Sequence, residues 1–147
     1  RHLVIELTSI QGVAEAVDYP LARVFKSLVT IPDTRRGQPV VVLVPGHREL
    51  DLKKLARHLG VKKVRMASCQ EAEDATGLQV GGISPLALLA RGYAVIVDRS
   101  ARDEEGLLLS AGQRGINLEM AVSDLLALTG AEVADVAREA NVAREAD

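Results

Sequence analysis

Five consecutive apolar residues, Val40-Val41-Val42-Leu43-Val44, leave this chain few ways to fold. A strand with one wet face alternates apolar and polar side chains, so an unbroken run needs cover on both faces. It belongs inside a sheet, with other elements packed above and below it. The polar stretch Pro32 to Pro39 separates this run from a second one, Leu28 to Ile31, as the loop of a β-hairpin would.

Around that hairpin the sequence alternates helix and strand signals. Pro20 suits a first helical position, and Leu21, Val24, Phe25 and Leu28 follow at helical spacing, which predicts a short helix over about 20–28. Asp51 caps a second helix whose apolar stripe is Leu52, Leu55, Ala56 and Leu59, and Gly60 ends it. A strand is predicted over Val61 to Ala67. Ser68 and Glu71 then form a capping box for a helix that Gly77 closes. Strands are expected at 2–7, 78–82, 93–98, 106–110, 116–120 and 132–136, and Ser123 is expected to cap a last helix ending at Gly130. Short loops join several of the strands, which favours a mixed α+β sheet over a doubly wound one. The chain begins abruptly on a strand, so a natural N-terminal segment is expected to be lacking. The tail repeats Val-Ala-Arg-Glu-Ala at 136–140 and 142–146, a repeat with no evident chemical meaning.

Composition narrows the function classes. At 147 residues with 48% hydrophobic side chains, the chain suits one domain that buries about two-thirds of its unfolded surface. Eighteen Lys and Arg stand against 20 Asp and Glu, so any nucleic-acid contact must be local. One cysteine, Cys69, and three scattered histidines exclude a disulfide scaffold and offer no zinc spacing. No metal and no cofactor are expected, and a reducing, cytoplasmic compartment fits. No apolar run approaches the roughly 20 residues of a membrane span, and none of the start resembles a signal peptide. Tyr19, Phe25 and Tyr93 are the whole aromatic set, too few for base-stacking platforms.

Four groups of residues invite a chemical reading. Between Arg48 and Arg65 lie seven basic residues against two acidic ones, a local charge of +5 that suits either a phosphate backbone or a solvated face. Gly81-Gly82-Ile83-Ser84-Pro85 and Ser110-Ala111-Gly112-Gln113-Arg114-Gly115 read alone as tight turns, although paired glycines also let a backbone approach a ligand and leave amide donors free for an oxyanion. Ser84 does not fit a nucleophile elbow, because Leu86 stands where glycine is required. No Ser-His-Asp order and no phosphate-binding Gly-Lys-Ser/Thr motif is present. Lys26 lies among apolar neighbours, but a helical wheel turns it away from the apolar stripe and favours exposure.

Taken in order, Arg23-Val24-Phe25-Lys26-Ser27-Leu28, Leu50-Asp51-Leu52-Lys53, Leu59-Gly60-Val61-Lys62-Lys63-Val64, the two glycine loops and Asp124-Leu125-Leu126-Ala127-Leu128-Thr129-Gly130-Ala131 resemble the YbaK/EbsC family of prolyl-tRNA synthetase-associated editing domains. The likeness covers residues 1–137 and leaves 138–147 as a polar tail. It implies a single α+β domain with a mixed, barrel-like sheet flanked by short helices. It also implies hydrolysis of the ester of mischarged tRNA in trans, closest to the branch that clears Cys-tRNA(Pro), with Ala-tRNA(Pro) as the alternative substrate. A non-catalytic tRNA-binding or synthetase-associated regulatory module stays open as an alternative function. Mischarged tRNA is the implied partner, and prolyl-tRNA synthetase a second candidate.

Carried over residue by residue, the resemblance puts the family's lysine on Lys26 and its glycine loop on Gly81 and Gly82, so that Lys26 and Gly82 become the candidate catalytic residues. It reverses the exposed reading of Lys26. Ser27, Gly81, Ile83, Ser84, Ser110, Gly112 and Asn117 become candidate substrate contacts, and Lys53, Lys54, Arg57, Lys62 and Lys63 candidate tRNA contacts. Asn117 stands where aspartate is common, and Ala87-Leu88-Leu89-Ala90 replaces a basic run found in many relatives. In relatives acting on cysteine the substrate thiol assists its own release, which suits a site without histidine or a nucleophilic cysteine.

Overall fold

The computed structural model describes residues 3–6 and 20–140. Ten strands and three α-helices alternate along them: β1 (Leu3–Glu6), β2 (Phe25–Pro32), β3 (Val40–Pro45), β4 (Arg48–Leu50), α1 (Leu52–Leu59), β5 (Val64–Met66), α2 (Cys69–Thr76), β6 (Ala94–Asp98), β7 (Gly106–Gln113), β8 (Ile116–Ala121), α3 (Val122–Thr129), β9 (Glu132–Ala134) and β10 (Ala137–Glu139). Three 3-10 segments join them, at Leu21–Arg23, Pro85–Arg91 and Arg99–Asp103.

The central sheet has the order β5-β2-β3-β6-β9, antiparallel on the β2 side and parallel from β3 to β9. β3 sits in the middle, and Val41 to Val44 are completely buried, as an unbroken apolar run demands. On one face Val40, Val42, Val44 and Ile96 pack with Leu55 and Ala56 of α1 and with Val136. On the other, Phe25, Val29, Leu43 and Val97 pack with Leu107, Leu109 and Leu125. A three-stranded sheet, β1-β8-β7, closes that second face, and a parallel bridge between Val24 and Leu108 joins it to the start of β2. The result is the mixed α+β architecture that the sequence predicts and the family resemblance implies.

Several local expectations need correction. The helix expected over 20–28 is one 3-10 turn followed by strand β2. Val24 is already extended, and β2 then pairs with β3 from Phe25 to Thr30 and with β5 from Thr30 to Pro32. Pairing with β3 along Phe25–Thr30 outweighs the helical spacing. No strand forms over 78–82; Leu78 to Ser84 turn into the Pro85–Arg91 segment, whose N-cap is Ser84. The strand expected over 61–67 is confined to Val64–Met66, and α3 starts at Val122 with Ala121 as an N-cap that makes no side-chain bond. The closing strand ends at Ala134, and the chain then forms β10 against β4, which straddles residue 137. The helices capped by Asp51 and Ser68 form as expected, including the complete capping box of Ser68 and Glu71.

One buried carboxylate fastens this last excursion. Asp98, fully buried at the end of β6, accepts from the Val136 and Ala137 amides at 3.1 Å each and from the Ser100 amide at 3.2 Å. Arg48 lies 3.9 Å away.

Candidate functional site

The two glycine loops meet. Gly81 has φ +94° and Gly112 has φ +99°, conformations that side chains other than glycine rarely adopt. Gly82 lies so close to the second loop that a Cβ there would stand 2.5 Å from the Arg114 amide nitrogen and 2.8 Å from the Gln113 carbonyl carbon. Its lack of a side chain therefore serves backbone-to-backbone packing of the loops. A Cβ on Gly112 would meet Ala87 at 3.0 Å, which ties the second loop to the 3-10 segment as well. Glu73 on α2 holds the approach to the first loop by accepting the Val80 amide at 3.0 Å.

Beside this junction lies a small cavity of about 120 Å³, walled in part by Ser27, Ala72, Val80, Ile83 and Cys69. The Ser27 hydroxyl oxygen is buried and has no hydrogen-bond partner among the described residues. A buried hydroxyl without a partner costs free energy unless something supplies the bond. Ile83 belongs to the apolar core. Ser84 is fully buried, and its hydroxyl accepts from the Leu86 amide at 3.2 Å, so it caps a turn and is closed to a ligand. Ser110 and Asn117 face one another across the β7–β8 ladder, both half-buried, where the register shifts between Ser110 and Gln113. Asn117 also sits opposite Ile5 of β1.

Lys26 stands apart from its neighbour. Strand alternation puts it on the face of Val44 and Leu28, whereas Ser27 shares the face of Phe25 and Val29. It lies where β2 has only β3 beside it, because pairing with β5 begins at Thr30. Burial holds the Lys26 ammonium below its ordinary pKa, and the Glu49 carboxylate partly opposes that.

The expected tRNA contacts divide. Lys53, Lys62 and Lys63 line a second, larger cleft of about 770 Å³ between the β2–β3 turn, α1 and β5. Lys54 is engaged with Asp135 at 3.1 Å and with the Ala137 carbonyl at 3.0 Å, which ties α1 to the tail, and Arg57 is exposed outside the cleft. Sequence reasoning missed Asp98, Glu49 beside Lys26 and the contact of Arg114 with the glycine loop. Only Asp98 left a signal, an acid ending an apolar strand two residues before a serine. Among the described residues no group of three His, Cys, Asp or Glu gathers as metal ligands would, and no helix is long and apolar enough to cross a membrane.

Residues 6–128 match the model of the aminoacyl-tRNA editing domain. The chain belongs to that family. It is 37% identical over 128 residues to an Enterococcus faecalis protein named "Putative Cys-tRNA(Pro)/Cys-tRNA(Cys) deacylase EbsC", covering 87% of this chain and 76% of that one. A proline–tRNA ligase of Thermosipho africanus is 35% identical over 78 residues, which are 53% of this chain and only 13% of the ligase. Among solved structures, "Crystal structure of a putative trans-editing enzyme for prolyl tRNA synthetase" superposes with a TM-score of 0.83 at 28% identity, over 93% of this chain and 87% of that one. As an aminoacyl-tRNA editing domain, the chain carries the resemblance on which Lys26 and the glycine loops stand as candidate site residues.

Proposed function

We propose that this editing domain is a trans-acting deacylase that hydrolyses the ester of mischarged tRNA, with Cys-tRNA(Pro) as its substrate. The observation that carries the reading is the 37% identity, over 128 residues, to a relative bearing that activity in its name. The cavity beside the glycine loops supports it, since about 120 Å³ suits a small aminoacyl side chain and the Ser27 hydroxyl lacks a partner there.

An aminoacyl ester is already activated, so the site need only position it and stabilise charge on its carbonyl oxygen. Backbone amides of the glycine loops are donors of that kind: that of Gly82 is held by the Gln79 carbonyl at 2.8 Å, and that of Gly112 rests on the Ser110 hydroxyl at 3.4 Å, a long bond that the ester oxygen can replace. Ser27 hydrogen-bonds the acyl group, and Asn117 offers both a donor and an acceptor to its amino end. Lys26, reaching round the open edge of β2, orients the ester or the terminal adenosine. The substrate thiol adds to the carbonyl in place of an enzymic nucleophile, and the tRNA hydroxyl leaves with the thiol's proton. Water then opens the thioester. Such a reaction takes place in the cytoplasm, where prolyl-tRNA synthetase is the natural partner.

The test is a deacylation panel with Cys-, Ala- and Pro-charged tRNA(Pro). Loss of cysteine at the highest rate, with proline retained, supports the reading. Faster loss of alanine would move the substrate, and no loss above the spontaneous rate from any of the three would overturn the deacylase.

A further inference from the structure

The larger cleft contains none of the residues assigned to the ester. Ser27 and Pro32 lie five residues apart on β2, so roughly 16 Å of strand separates the small cavity from the cleft. Its floor is apolar, formed by Ile31, Pro32, Leu52, Ala56 and Val64, and its rim carries Lys53, Lys62 and Lys63. Among the described residues these three ammonium groups have no ion-pair or hydrogen-bond partner. Several other cations are paired: Lys54 with Asp135, Arg138 with Glu49 and Arg99 with Asp135. Arg65, the guanidinium on the cleft wall, is already spent on Glu71, with two parallel bonds of 2.7 Å.

We propose that this cleft binds one nucleotide of the RNA partner, with its phosphate among Lys53, Lys62 and Lys63 and its base on the apolar floor. Carboxylates are held best by the planar fork of arginine, and the arginine that lines the cleft, Arg65, is occupied. Three lysines, one on α1 and two on the turn before β5, presenting point charges around an apolar floor, suit a phosphate joined to a flat, weakly polar ring. Asp33 on the same wall accepts from a sugar hydroxyl or an exocyclic amine. A volume of about 770 Å³ admits the whole nucleotide. At about 3.4 Å per stacked nucleotide, roughly 16 Å places the bound residue a few positions upstream of the ester.

The identification of the RNA as tRNA rests on the deacylase reading; nucleotide binding itself does not. The experiment titrates AMP, inorganic phosphate and a hexaglutamate peptide separately into the isotope-labelled chain and follows backbone amide shifts. The proposal predicts saturable AMP binding, with shifts centred on Asp33, Thr34, Lys53 and Lys62 to Arg65, at least about 5-fold tighter than phosphate. Lys62→Glu/Lys63→Glu should weaken AMP at least about 10-fold, and the remaining amide spectrum reports that the fold is kept. Equal affinity for AMP and phosphate would show that the floor takes no base, and would overturn the proposal. So would tighter binding of the peptide, or AMP shifts located elsewhere. AMP bound in the cleft by a chain that deacylates nothing would leave the inference standing and remove the deacylase; deacylation without AMP binding would do the reverse.

Discussion

The glycine-loop junction and the lysine-rimmed cleft are built by opposite means. At the junction backbone lies on backbone, and a single added Cβ at Gly82 would press into Arg114. In the cleft the decisive groups are the exposed ends of flexible side chains over an apolar floor. The first region suits positioning, because backbone packed on backbone holds its shape while charge develops beside it. The second suits holding a polyanion, because mobile point charges tolerate many phosphate positions.

The largest effect expected from this contrast is that of Gly82→Ala. Overpacking of this kind costs typically 1–3 kcal/mol, and a clash with backbone belongs at the upper end, so about 3 kcal/mol of stability should be lost in urea unfolding. Unchanged stability would mean that the loops separate easily, and the contrast would fail. Lys26→Ala should next lower deacylation about 100-fold, roughly 2.7 kcal/mol of transition-state stabilisation, with its unfolding midpoint close to wild type. Near-normal turnover would remove Lys26 from the site. Lys62→Ala, by comparison, should move stability by no more than about 0.5 kcal/mol, as for an exposed position without a partner.

A titration at the cleft wall leaves the fold untouched. The paired Arg65 guanidinium, with help from the Ser68 amide, lowers the Glu71 pKa to about 2, against about 4.3 for a free glutamate. A folded value below the unfolded one means that the pair stabilises above about pH 5, and that this contribution disappears as pH falls toward 2. Arg65→Ala should move the carboxyl titration seen by NMR back toward 4, and an unmoved titration would show that Ser68 alone holds it.

How far these regions can be read from sequence depends on whether their contacts are local. The helix of Asp51 and Gly60 was legible because its caps lie within the segment they cap: Asp51 accepts from Lys53 and Lys54, and Gly60 is left-handed. β2 was not, since Leu21, Val24, Phe25 and Leu28 satisfy a helical period while the pairing that makes Phe25 and Leu28 part of a strand comes from β3. The glycine loops were legible as special, yet the reason for Gly82 lies in Arg114, 32 residues away. Ser27 follows Lys26 in sequence, and only the strand reveals that the two face opposite ways. The lysines of the cleft were plain in the charge count, whereas its floor joins a hairpin, a helix and an edge strand that no local pattern connects.

The central claim is that the site beside the glycine loops breaks the ester. Single-turnover deacylation of Cys-tRNA(Pro), by the wild-type chain and by Lys26→Ala in parallel, tests it most directly. The account predicts a wild-type rate well above spontaneous hydrolysis and a variant rate about 100-fold lower. Equal rates for the two proteins, or a wild-type rate no faster than buffer alone, would contradict it.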